Sequence, residues 1–242
     1  MSSRKHDARV AGVLYLLLAV IAPFSMMYIP SVFIVRGDAA ATAGNIASSE
    51  LLYRIGVASD LASHVIFVCV VLALYQLLRE VNQRHAALMA VLALVSVPMA
   101  FINTLNQSAP LILLSGADFL SAFDKHQLDA LAYAFLRLQS QGIIAVSAYW
   151  GLWLLPFGLL VYRSGFLPRI LGVFLWIAGF AYLVGCLTSL LFPAYGRIIS
   201  PYLLVLEAGE LPIILWLVFK GARDQPPEGQ ASRPGNRVAV NA

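Results

Sequence analysis

Charged side chains are scarce in this sequence. Lys and Arg number 16 and Asp and Glu 12 among 242 residues, 12% together, while 60% of the chain is hydrophobic. Soluble domains carry about 25% charge, so a fold built around a water-facing ionic shell is excluded. Cysteine is nearly absent as well, with only Cys69 and Cys186. They fall at opposite depths of two apolar segments, about 15 Å apart along the membrane normal, too far for a disulfide. Both read as small buried hydrophobes. Of the four histidines, only His64 lies deep in an apolar segment; His6, His85 and His126 sit at ends or in loops. Catalytic zinc takes three protein ligands, often two or more of them His, so no metal is expected. The chain has no HExxH, GxSxG, P-loop or dinucleotide fingerprint. No cofactor is expected. No basic stripe is interleaved with aromatics, so no nucleic-acid partner is expected either, and the net charge of +4 has another origin.

What the sequence has in abundance is long apolar runs, and its mean hydropathy is +0.82. Runs of about 20 such residues match a hydrocarbon core of about 30 Å. The pattern predicts an all-α bundle of six transmembrane helices near residues 10–30, 51–78, 86–114, 129–161, 170–192 and 201–219. Arg4, Lys5 and Arg9 before the first run imitate a signal peptide, but the apolar run continues through Pro23, so it reads as a retained helix. Residues 1–9 form a short N-terminus, 10–220 the helical domain and 221–242, rich in Pro, Gly, Gln and Arg, a disordered tail. The basic residues at the N-terminus, in the second and fourth connections and in the tail share one side. The positive-inside rule therefore places both termini in the cytoplasm. Asp38 is expected to cap a short Ala-rich helix on the outer surface, and the loop with Asp118, Asp124 and Asp129 to cap the fourth span.

Polar residues cluster in the outer halves of four spans. Counted inward from the outer ends, Asp60, Asn106, Arg137 and Glu210 each lie about 12–14 Å deep. Helical spacing puts Asp60 with His64 on one face. It likewise groups Asn103, Asn106 and Gln107, then Tyr133, Arg137 and Gln141, and then Glu207 and Glu210. Intramembrane charge usually faces the bundle interior or a watery cavity. The pattern therefore predicts kinked helices around one outward-facing polar pocket, with Arg137 paired to Asp60 or Glu210. Pro110 and Pro212 each free a backbone carbonyl beside a polar stripe. The plain alternative is that Asn, Gln and His act only as interhelical hydrogen-bond glue. Trp150, Trp153 and Trp176 read as packing or lipid-facing residues.

With these segments laid out, several stretches resemble a bacterial family of multi-pass integral membrane proteins catalogued as domain of unknown function 4386. They are ARVAGVLYLLLAV at the start, GDAAATAGNI in the first outer loop, SGADFL at Ser115–Leu120 and YRSGFLPRILG at Tyr162–Gly172. The resemblance covers roughly residues 8–220. It implies a six-helix protein of the bacterial inner membrane and carries over no catalytic residue. In SGFLPR, Gly165 and Pro168 are expected to end one helix and start the next. The leading functional expectation is binding or transport of a small polar or amphiphilic molecule from the periplasmic side, in an oligomer embedded in the lipid bilayer. Two alternatives are an intramembrane acid–base enzyme acting on a lipid-derived substrate and a structural or regulatory subunit.

Overall fold

The computed structural model describes residues 3–222, which include helices and turns but no strand. Nine α-helices follow in order among the described residues: α1 (Ser3–Pro23), α2 (Ile29–Phe33), α3 (Ala39–Ser48), α4 (Glu50–Leu78), α5 (Gln83–Leu113), α6 (Lys125–Arg163), α7 (Arg169–Leu191), α8 (Pro193–Glu207) and α9 (Leu211–Phe219). Six stretches are long and apolar enough to cross a membrane: Arg4–Phe33, Glu50–Leu78, Gln83–Leu113, Lys125–Arg163, Arg169–Leu191 and Ile198–Phe219. The protein is a multi-pass, all-α membrane bundle. Helix begins at Ser3, so residues 3–9 of the N-terminal stretch are part of α1. The expected disordered tail lies, from residue 223 on, outside the described residues.

Consecutive spans pack side by side, and α9 returns against α1 to close the ring. At the end where the chain starts and finishes, Arg4 pairs with Glu80 at 2.7 Å and stacks 5.1 Å over the Phe166 ring. That contact levels the ends of three spans. At the opposite end, Asp38 caps α3 by accepting the Ala41 N–H at 2.8 Å. Asp124 forms a capping box with Gln127 at the start of α6. Each satisfies an otherwise unpartnered helix N–H. The turn between α6 and α7 holds Gly165 at φ 71, with Pro168 as the N-cap of α7, as the sequence predicts. Asp129 is not in a loop; it lies buried on α6, paired with Lys125 at 2.7 Å.

The apolar interior is in two parts. The larger cluster, with Leu74, Met89, Trp153, Phe157, Leu175 and Leu217, fills the half near the termini. A smaller one, with Ile29, Phe33, Ile46, Tyr53 and Leu136, lies near the loops. Along α4, α5 and α6 the residues between the two clusters are the polar ones. Two spans are irregular at this depth or below it. A π-helical turn at Phe24–Tyr28 interrupts the first, and a 3-10 turn at Ala208–Glu210, just before Pro212, interrupts the sixth.

Candidate functional site

Between the two clusters, α4, α5 and α6 and the π-helical turn enclose a partly open cleft. Its walls are Met26, Asp60, His64, Ala100, Asn103, Gln139, Ile143, Val146 and Trp150. The cleft is narrow: ≈ 20 Å³ is open to the centre of a water-sized group. Asp60 is 9% exposed. Its Oδ2 accepts the Thr104 hydroxyl at 2.6 Å and lies 3.4 Å from His64 Nε2, one helical turn along α4. His64 Nε2 is also 3.3 Å from Thr104 Oγ1, and its ring meets Phe101 edge-on at 5.2 Å. Oδ1 of Asp60 has no hydrogen-bond partner among the described residues. The atom is not sealed inside the bundle, so it is open to water or to another donor.

Across the cleft, Asn103 Nδ2 donates to the Gln139 carbonyl at 2.9 Å, and Asn106 Nδ2 donates to Asn103 Oδ1 at 3.2 Å. Asn103 lies flat against Gly142, so close that a Cβ there would overlap the amide. One turn further along the same face of α5, Gln107 is 4% exposed and its Oε1 has no hydrogen-bond partner among the described residues. The Gln107 backbone carbonyl accepts the Tyr53 hydroxyl at 2.6 Å.

The remaining predicted site residues lie elsewhere. Arg137 and Gln141 share an exposed face of α6, and Arg137 makes no ion pair among the described residues, contrary to the expected pairing with Asp60 or Glu210. The reason is length. With 39 residues, α6 exceeds the hydrocarbon, and Arg137 stands about 39 Å along the helix from Arg163, at headgroup height. Tyr133, one turn further out, accepts the Gly37 N–H at 2.9 Å and ties the first loop to α6. Glu207 and Glu210 do not reach Asp60 either. Because α8 starts at Pro193 rather than near residue 201, Glu210 is much deeper than expected, about 17 Å from Gly221. There Glu210 Oε2 accepts the Tyr15 hydroxyl, and Tyr182 reaches the same carboxyl. Tyr15 lies about 17 Å from Arg4, at the matching height on α1. The single predicted pocket is therefore two polar sites: the Asp60 cleft and a tyrosine-bound carboxyl joining α1, α7 and the sixth span.

Met26, Gln139 and Trp150, which line the cleft, and Thr104, which bonds Asp60 behind it, are not among the residues the sequence points to. Thr104 was findable, since it stands beside Asn103 in a polar run on α5. Trp150 reads from sequence as packing; it lines the cleft and meets Tyr182 at 6.2 Å, edge to face. Among the described residues no three His, Cys, Asp or Glu side chains are grouped to hold a metal.

The chain belongs to the family described as Domain of unknown function (DUF4386), whose model matches residues 10–221. It is also similar to a protein of Archaeoglobus fulgidus described as an uncharacterized protein, at 32% identity over 160 residues, 66% of this chain and 79% of the relative. No solved structure matches.

Proposed function

We propose that this is a protein of the bacterial cytoplasmic membrane, with both termini in the cytoplasm, that binds and transports a small polar or amphiphilic molecule through the Asp60 cleft. The observation that carries the reading is the free Asp60 Oδ1 in a cleft walled by four separate stretches of chain. The cleft lies about 30 Å along α4 from Glu80 and about 15 Å below the helix end at Glu50, in the half away from the termini. By the positive-inside rule that end is periplasmic. Interrupted spans are a recurring feature of transporters, and one interruption here, the turn containing Met26, forms part of the wall. In the acid–base enzyme reading, Glu207 or Glu210 is the acid or base and Arg137 binds an anionic group; Arg137, on the exposed face of α6, makes no ion pair among the described residues.

The test is thermal unfolding of the purified protein in detergent against a panel of small cationic, neutral and anionic compounds. At least one compound should raise the melting temperature of the unmodified protein and of Glu210→Gln but not of Asp60→Asn. Saturation at about 100 times Kd corresponds to ~2.7 kcal/mol. Equal responses of Asp60→Asn and the unmodified protein to every compound would sink the reading.

A further inference from the structure

We propose that the open side of the Asp60 cleft faces the bilayer, between the first span and α8, and that the cleft takes a single-chain amphiphile with an uncharged hydroxyl head. This rests on the binding reading above and names its ligand class and route. Along the membrane normal the cleft is shut at both ends. Toward the loops, the smaller apolar cluster stands one or two turns further out on three walls: Ile29 beyond Met26, Val57 and Tyr53 beyond Asp60, and Leu136 beyond Gln139. At that level the Gln107 amide oxygen is sealed from solvent, and the Tyr53 hydroxyl donates to the Gln107 carbonyl at 2.6 Å. Toward the termini, Phe67 and Trp153 meet edge to face at 5.5 Å, about one turn below His64 and Trp150.

The sides differ. Helix α4 packs on α5, α5 on α6 and α6 on α7, and the π-helical turn packs on α4. The sixth span closes the ring onto the first through α9, in the half near the termini. In the other half α8 packs on α7, with no comparable packing onto the first span. That gap is at the height of the cleft. Ile198–Glu207 stands about 21–34 Å along the sixth span from Gly221, and Trp150 and Gln139 stand about 20–36 Å along α6 from Arg163. The sixth span is also the least buried of the six. Ile198, Tyr202, Leu204, Val205 and Leu206 are all exposed on α8, a surface that suits an alkyl chain. On the facing span, irregular backbone at Phe24–Tyr28 fits a cavity wall, since such backbone is tolerated at membrane depth only inside protein or along a cavity.

The head follows from the walls. Asp60 Oδ1 is an open acceptor, while Oδ2 takes the Thr104 hydroxyl and the Asn103 amide bonds to Gln139 and Asn106. One open acceptor matches a hydroxyl, which has one donor. No Lys or Arg lines the cleft, so a carboxylate or phosphate head would meet Asp60 without a counter-charge. The ≈ 20 Å³ open to a water-sized group admits a hydroxyl and excludes a phosphocholine. Met26, Ile143, Val146 and Trp150 make the other walls largely apolar and would cover the first methylenes of the chain.

The full chain in lipid nanodiscs tests route and head separately. For the route, Trp150 is the reporter. Phospholipids brominated along their acyl chains should quench it and aqueous iodide should not, each read as the quenching that Trp150→Phe removes. On the unmodified protein, a photoreactive long-chain alcohol should label Met26, Ile143 or Trp150, as mass spectrometry of the peptides would show. For the head, 1-decanol should raise the melting temperature, and decane, decanoate and water-soluble glycerol should not match it. Asp60→Leu should abolish the difference between decanol and decane. Quenching of Trp150 by iodide, or by neither quencher, would overturn lateral entry. Equal stabilisation by decane, or label that avoids the cleft, would overturn the ligand class. If a water-soluble compound then stabilises the unmodified protein but not Asp60→Asn, the binding reading survives alone. No response to any compound, polar or long-chained, removes the two together.

Discussion

At the residue scale, what matters is which side chain a small neighbour lets in. Gly142 on α6 is the floor on which Asn103 lies, and an alanine there would overlap the Asn103 amide. Helix propensity alone favours Gly→Ala by about 1 kcal/mol. The overlap should cost more, about 1–3 kcal/mol, with the Asn103–Gln139 hydrogen bond lost besides. Gly142→Ala should therefore lower the melting temperature and blunt any ligand response. Gly44→Ala on the exposed side of α3 should act in the opposite direction, because nothing lies within 4 Å of the new methyl. Melts of the two variants side by side check the sign of each. Arg137 gives a third case. Read as a buried partner of Asp60, its loss should collapse the fold; on the exposed face of α6 it should not. Arg137→Gln is expected to melt like the unmodified protein, and a large drop in detergent would show that its guanidinium has a partner inside the bundle.

At the scale of elements, α6 and α7 are held together by glycines a heptad apart on each helix. Gly151 faces the Gly179 carbonyl and Gly158 faces the Gly172 carbonyl, and the reverse contacts hold too. A Cβ on Gly158 would sit 2.7 Å from the Trp176 ring, and one on Gly172 would sit 2.5 Å from the Gly158 carbonyl. Backbone cannot give way as a flexible side chain can, so the helices must separate. Gly158→Ala and Gly172→Ala are each expected to destabilise by about 1–3 kcal/mol. The pair together should cost little more than either alone, since a single separation relieves both clashes. Unfolding of the two single variants and the double variant measures this, and strict additivity would show that the helices do not move as bodies. The seam also shows what the sequence conceals. Caps and turns were legible because Asp38, Asp124, Gly165 and Pro168 act through neighbours close in sequence. Depth and facing were not. The count from the outer ends failed for Glu210, whose helix starts early at Pro193, and for Arg137, whose helix runs past the hydrocarbon. Counting from the basic ends puts Tyr15 and Glu210 at one height and separates them from Asp60. Which stripe turns inward is set by the partner helix, and Gly142 chose Asn103 in a way that no spacing along α5 reveals.

At the scale of the whole molecule, the six spans form a ring closed by α1 and α9, with two interrupted helices and two polar sites at different heights. The upper site can exchange with one side of the membrane only if the loops around α3 and before α6 face that side. In the orientation proposed above from the asymmetry of basic residues, that side is the periplasm. Arg4, Arg79, Arg84, Arg163, Arg169 and Lys220 lie at the end shared by the termini, while at the other end Arg54 and Lys125 are each neutralised by a carboxylate on their own helix, Glu50 and Asp129. With Cys69 and Cys186 replaced by alanine, a single cysteine at Ser115, beside the left-handed Gly116 turn, should react with a membrane-impermeant maleimide once the outer membrane is permeabilised. A single cysteine at Glu80, exposed beside Arg4, should react only after the cytoplasmic membrane is broken. Reversed labelling would put the Asp60 cleft on the cytoplasmic side.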